Sequence, residues 1–78
     1  MVIGPAVYAY QVLRNLTRKA AAVWPGALVE DRARVFVLLR PGHEDLVLAG
    51  EPTPLDRRFS TAKEALGQAI EAARAARR

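Results

Sequence analysis

The sequence has one histidine, one serine and no cysteine, so few side chains could act as nucleophiles or metal ligands. His43 falls in the turn-like run Pro41-Gly42-His43-Glu44-Asp45, and adjacent residues seldom converge on one metal ion. Ser60 has a simpler role near a helix start, where small hydroxyls favour the capping position. A serine hydrolase site would need both residues together. We therefore expect no catalytic residue and no metal site.

The acidic pairs Glu30-Asp31 and Glu44-Asp45 do not resemble an acid and base dyad. Neighbours on a strand point to opposite faces, and neighbours in a turn point into water. The sequence also contains no GxGxxG, no P-loop and no CxxC motif. The expectation is a protein that is not an enzyme, with no cofactor and no small-molecule substrate.

The basic residues Arg14, Arg18 and Lys19 are the main candidates for binding. The net charge is +4, and residues 1–39 hold five bases against two acids, whereas residues 40–78 hold seven against six. Residues four apart lie one above the other on a helix, so Arg14 and Arg18 could contact a phosphate backbone or an acidic protein surface together. An ordinary solvated helix face would show the same pattern.

Two aromatic residues, Tyr10 and Phe36, are candidate anchors for an interface, because Tyr, Trp and Arg often dominate binding energy there. Each is equally compatible with a place at the edge of the core. One phenylalanine on a strand does not make the stacking platform of a protein that binds single-stranded nucleic acid.

The elements that position these residues begin with a helix over about residues 5–23. Gly4-Pro5 is a typical helix start and Trp24-Pro25 a typical stop. Between them the apolar residues share one side and the polar residues the other, as in an amphipathic helix. The inner residues are Ala9, Val12, Leu13, Leu16, Ala20 and Val23.

Short apolar and β-branched runs predict strands over about 27–31, 34–40 and 45–50, with a turn at Pro41-Gly42. Consecutive strands with short turns form an antiparallel meander. The second run has no polar alternation, since Val35, Val37 and Leu39 alternate with Phe36 and Leu38. Both sheet faces therefore need cover. Either the helices take opposite faces, or both pack on one face and a partner covers the other.

A connection containing two prolines follows over 51–58, with room for a short fourth strand at Arg57-Arg58-Phe59. The pattern Thr61-Ala62-Lys63-Glu64 is a capping box, which predicts a helix over about 61–77. The fold class is α+β in the order α-β-β-β-α, a three-stranded meander covered by two helices.

A chain of 78 residues forms one domain, of a size that gains little stability from its core unless a disulfide, a metal or a partner adds to it. With no cysteine and one histidine, neither a disulfide nor a structural metal is expected. Self-association therefore remains as a source of added stability, and we expect a homodimer.

The lack of cysteine also favours the cytoplasm. Met1 to Leu13 lacks the basic start of a signal peptide and is too short to span a membrane. Many arginines and few amides suggest either a heat-adapted source or a GC-rich genome.

The run Thr61-x-x-Glu64-Ala65-Leu66-x-x-Ala69-x-Glu71-Ala72 resembles the helix that follows the sheet in HicB-type antitoxins. The likeness covers twelve residues of the 78, and a long helix ahead of the strands departs from that family's βββα order. The resemblance implies a small module that neutralises a protein partner.

Two functions remain open. The favoured one is a protein-interaction module, a regulator or inhibitor of the mobile-element or toxin-antitoxin type. The alternative is a protein that binds nucleic acid through the basic face of the first helix, at Arg14, Arg18 and Lys19. Attachment to a membrane is not expected, because the apolar face of that helix has a simpler role in the core.

Overall fold

The computed structural model describes residues 5–51 and 54–77, with side chains from residue 7 onward. The elements follow the predicted order: α1 (Pro5–Ala21), β1 (Leu28–Arg32), β2 (Val35–Leu39), β3 (Leu46–Ala49) and α2 (Leu55–Ala76). The three strands form one antiparallel sheet in the order β1-β2-β3. The α+β prediction is confirmed. The predicted roles of Gly4 as a cap and Pro52 as a chain stiffener lie outside the described residues.

Helix α1 begins at Pro5, as predicted, and ends at Ala21, two residues before the predicted end. The chain then turns tightly, because the amides of Val23 and Trp24 both donate to the carbonyl of Ala20, at 3.0 and 2.8 Å. Both side chains are buried beyond the helix end. The apolar residues that predict the helix therefore extend to Val23, two residues beyond its last helical residue.

Strands β1 and β2 are joined by a two-residue turn at Ala33 and Arg34. Arg32 pairs with Val35 across the turn, and both turn residues have positive φ, 50° and 66°. This is the geometry of a type I′ hairpin, whose twist matches that of the flanking strands. Arg34 was predicted to begin the second strand, and the structure places it in the turn instead.

Strand β3 contains an irregularity that buries two consecutive residues. Phe36 pairs with Ala49 while Val37 pairs with Val47, so Leu48 is an extra residue on β3. A bulge of this kind lets neighbouring side chains point to the same side. Leu48 and Ala49 are accordingly both buried.

Helix α2 begins at Leu55, six residues before the predicted start. Pro54 precedes it, and the amide of Arg58 donates to the Pro54 carbonyl at 2.7 Å. Arg57-Arg58-Phe59 therefore belongs to the helix, and the expectation of a fourth strand there is wrong. Thr61 lies within the helix and caps nothing, while the Ser60 hydroxyl donates to the carbonyl of Asp56. The apolar period in fact starts at Phe59, whose side chain is buried on the inner face.

Both helices pack on the same face of the sheet. One hydrophobic cluster contains Leu16 of α1, Phe36 and Leu38 of β2, and Phe59 and Leu66 of α2. Phe36 and Leu38 are two apart, so they share a face. Four of the buried residues are alanines: Ala20, Ala27, Ala49 and Ala62.

The two helices run in the same direction. The rings of Tyr8 and Phe59 lie 5.2 Å apart near the two helix starts. At the other end, Nη2 of Arg77 donates to the carbonyl of Val23 at 3.1 Å. The outer strands of the meander, β1 and β3, run in the same direction. Helix α1 runs antiparallel to β1 and helix α2 runs antiparallel to β3, so the two helices are parallel to each other.

Candidate interaction surfaces

The face of the sheet opposite the helices is largely apolar, and we call it the open face. Its apolar side chains are Leu28, Val35, Val37, Leu39 and Val47, and the strand register also places Glu30 opposite Val37 and Arg32 opposite Val35 on this face. Val47 is 59% exposed and Leu28 38%. Val37 lies in the middle, shielded at 7% exposure, yet it is not part of the hydrophobic core cluster. Contiguous apolar side chains of this kind on a surface mark sites of association.

The charged residues on and beside the open face compensate one another. Nε of Arg32 lies 2.8 Å from a carboxylate oxygen of Glu30, and its Nη1 lies 3.6 Å from Asp45. Arg34 lies 3.6 Å from Glu51. Ion pairs this exposed contribute little to stability. Their effect is to leave the open face and its surroundings without a strong charge of either sign.

The edges of the sheet are protected against pairing with a further strand, whereas the open face is not covered by any described element. The amide of Val29 on the β1 edge donates to the hydroxyl of Thr17 at 3.0 Å, so helix α1 occupies part of that edge. Strand β3 is four residues long and carries the bulge. Short, bulged and covered edges are the usual protection against strand addition. The edges of the sheet are therefore better protected than its open face.

The structure brings Arg14, Arg18 and Lys19 to the exposed side of α1, as the period predicts. Within the described residues, none of the three forms an ion pair or a hydrogen bond through its side chain. Tyr10 is 64% exposed and lies beside Leu13, Arg14 and Val29 at the β1 edge. These four residues remain available to a partner.

Phe36 does not remain available, and this prediction needs correction. Its side chain is completely buried, stacked on Phe59 with 5.2 Å between the ring centroids. It points to the helix side of β2, where both helices cover it. Phe36 is a core residue, and its truncation would test stability, not recognition.

Sequence reasoning missed two exposed residues that the fold makes prominent. Val47 stands on the open face, but a strand with no polar alternation gives no sign of which side is covered. Lys63 belongs to the capping-box pattern of the sequence, and in the structure it lines a trough between the helices. Extending the helical period back to Phe59 would have predicted this position, because Lys63 lies four residues after Phe59 and so on the same side of the helix.

The residues considered for chemistry lie on separate elements. His43 is exposed in the turn between β2 and β3, whereas Ser60 lies in α2 and bonds its own helix. In residues 5–51 and 54–77 no group of three His, Asp or Glu side chains could hold a metal ion. No helix in the same ranges is long and apolar enough to cross a membrane.

Comparison with known proteins finds no matching family model, no matching curated protein and no matching solved structure. The resemblance to HicB-type antitoxins stays limited to residues 61–72. The structure places those residues in the middle of α2, not at a helix start.

Proposed function

We propose that this chain is a small cytoplasmic protein-interaction module, a regulator or inhibitor that associates with a second copy of itself through the open face. The observation that supports this is the packing of both helices on one side of the sheet, which leaves Val47 and Leu28 exposed. The lack of cysteine in the chain supports the cytoplasmic location. The proposal places the protein among non-enzymatic regulators of the mobile-element or toxin-antitoxin type.

The size of the open face sets the expected strength of association. Three strands spaced by about 4.8 Å, with about 3.4 Å per residue along each, give a face of roughly 14 by 17 Å. Stable interfaces bury about 800 Å² per partner. The open face is smaller than that, so the homodimer is expected at micromolar concentrations and not at nanomolar ones.

Light scattering across about a hundredfold dilution tests the dimer directly. The wild-type chain has a mass of 8.5 kDa and should show twice this value at the concentrated end. Val47→Lys places a charge in the interface and should give the monomer mass throughout. Val7→Lys is the matched control, because Val7 is 51% exposed on α1, away from the open face. It should dimerise like the wild type.

A monomer at every concentration, or equal dimerisation of Val47→Lys and Val7→Lys, would remove the open face from the proposal. The genes beside this one offer an independent check. A toxin-like or phage structural neighbour supports the interaction module, whereas a promoter-proximal regulatory position supports the alternative.

Nucleic-acid binding through α1 is the second candidate. It is supported by the three exposed cations Arg14, Arg18 and Lys19, which have no acidic partner in the described part of the chain. Uncompensated cations along a helix attract any polyanion. The apolar open face contributes nothing to this function, and for that reason we rank it second.

A further inference from the structure

A trough runs between the two parallel helices, on the outer side of the helical layer. It encloses about 450 Å³, within the range of natural ligand sites. Its base is formed by Leu16 and Phe59, which are nearly buried, with Val12 and Tyr8 more accessible above them. It extends along α1 from Tyr8 to Lys19, which is about 16 Å at 1.5 Å per residue. This is the length of three helical turns.

Cations line both walls of this trough. Arg18 and Lys19 stand on α1 and Lys63 on α2, against one acid, Asp56. None of the three cations has an ion pair in the part of the chain that the structure describes. One oxygen of Asp56 accepts a hydrogen bond from the amide of Arg57 at 2.9 Å, so it serves the start of α2. The trough thus has an apolar base between uncompensated positive walls.

We propose that this trough binds an acidic amphipathic helix of a partner protein. A helix lying between two others packs its apolar stripe into the groove between them, and its flanks then meet the groove walls. Glutamate or aspartate on those flanks would pair with Lys19 and Lys63. The proposal specifies the partner of the proposed interaction module, and the trough lies on the opposite side of the molecule from the open face.

The shape and lining of the trough favour such a helix over nucleic acid. A phosphate backbone gains nothing from Val12, Leu16 and Phe59, whereas an amphipathic helix buries its apolar stripe against them. The basic side chains suited to a phosphate backbone are Arg14 and Arg18, which border an adjoining polar trench with Gln11 and Asn15. Arg18 and Asn15 line both surfaces, whereas Lys19 and Lys63 line the trough and not the trench, so substitutions at these two lysines test the trough.

Because the base of the trough is already largely buried, much of the affinity must come from charge. Binding is expected to weaken as salt rises, since exposed charge pairs are screened over about 8 to 10 Å at physiological ionic strength. It must nevertheless require an apolar stripe on the partner, because Tyr8 and Val12 remain accessible.

The test uses three labelled synthetic helical peptides of about five turns each, measured by fluorescence anisotropy. The first has a leucine stripe flanked by glutamates, the second has the same stripe flanked by lysines, and the third is the first with its residues shuffled off the stripe. The first should bind saturably and at least about tenfold more tightly than the other two. The double variant Lys19→Glu, Lys63→Glu should reverse the preference and bind the lysine-flanked peptide.

Arg74→Glu is the matched control, a charge reversal at the far end of α2, and it should bind the glutamate-flanked peptide like the wild type. Circular dichroism confirms that each variant is folded. Val47→Lys should also retain peptide binding, so a failure of the open-face dimer and a failure of this proposal are distinguishable.

Several results would overturn the proposal. These are equal affinity for the striped and shuffled peptides, an Arg74→Glu loss as large as that of the double variant, or no saturation at about 1 mM peptide. Displacement of the peptide by a DNA duplex that binds more tightly and depends on the same two lysines would assign the trough to nucleic acid.

Discussion

In the part of the chain that the structure describes, Arg34 is one of two non-glycine residues in the left-handed backbone region, at φ 66°, next to Ala33 at φ 50°. A β-carbon in this conformation crowds the following carbonyl and costs roughly 1 to 2 kcal/mol per residue. Type I′ turns usually place Asn and Gly at these positions. The strand pairing on either side of the turn must outweigh the strain.

Replacing Arg34 with glycine should therefore stabilise the protein. Arg34→Ala is the control, since both changes remove the contact with Glu51 but only glycine relieves the backbone. We expect Arg34→Gly to exceed Arg34→Ala by about 1 kcal/mol in the free energy of unfolding, measured in urea. Equal values for the two variants would mean that the turn relaxes at no cost.

Thr17 has a role that depends on one hydrogen bond. Its hydroxyl accepts the bond from the amide of Val29 at a half-buried position. Thr17→Val keeps the shape but leaves that amide unsatisfied, which costs about 1 to 3 kcal/mol. Thr17→Ser keeps the oxygen and should lose less. Hydrogen exchange at the Val29 amide should accelerate in the valine variant and stay close to wild type in the serine variant; acceleration in both would contradict the assignment.

The burial of Phe36 and the exposure of Val47 could not be read from the residues themselves. Strand β2 is apolar at every position, so its sequence indicates that both of its faces are covered but does not indicate which face packs against the helices. The exposed cations of α1 were predictable, because an amphipathic helix divides its own faces.

At the scale of elements, the strands and α1 were predicted to within two residues, but the start of α2 was missed by six. The capping box at Thr61-Glu64 is a local signal that any helix can contain in its interior. Pro54 and Asp56 were the better signals of where α2 begins. Proline fixes φ just ahead of the helix, and an acidic residue in the first turn interacts favourably with the helix dipole.

A pair of substitutions tests the contribution of the buried face of α2. Leu66 is 1% exposed within the core, so Leu66→Asp buries an unpaired charge and should cost several kcal/mol, enough to unfold the chain. Arg74→Ala changes an exposed residue in the last turn and should cost less than about 0.5 kcal/mol. Thermal unfolding followed by circular dichroism compares them, and similar midpoints would show that the helix face is wrongly assigned.

At the scale of the whole molecule, the sequence left open whether the helices cover one sheet face or both. The answer depends on contacts between residues far apart in the chain, such as Tyr8 with Phe59. No local period encodes them. The meander order was predictable from short turns, and the parallel direction of the helices follows from it only once both are known to lie on one side.

Nucleic-acid binding measured at several salt concentrations tests the second candidate function. If α1 binds phosphates, the logarithm of affinity should fall with the logarithm of salt by about 0.9 per phosphate contact, and changing Arg14 and Arg18 to Gln should reduce that slope by about two. We expect instead no sub-micromolar binding of duplex or single-stranded nucleic acid at physiological salt. Tight binding that the double variant abolishes would favour the second candidate over the first.

The single covered face and the alanines beneath the helices also have a thermal consequence. Alanine buries little apolar area, and the hydration of newly exposed apolar area is what raises the heat capacity on unfolding. The monomer should therefore unfold with a heat-capacity change below the usual ~12 to 15 cal/mol/K per residue. Its free energy of unfolding then depends only weakly on temperature, so a modest maximal stability declines slowly as the temperature rises. This is one way in which a two-layer protein with few amide side chains can tolerate heat without a large core.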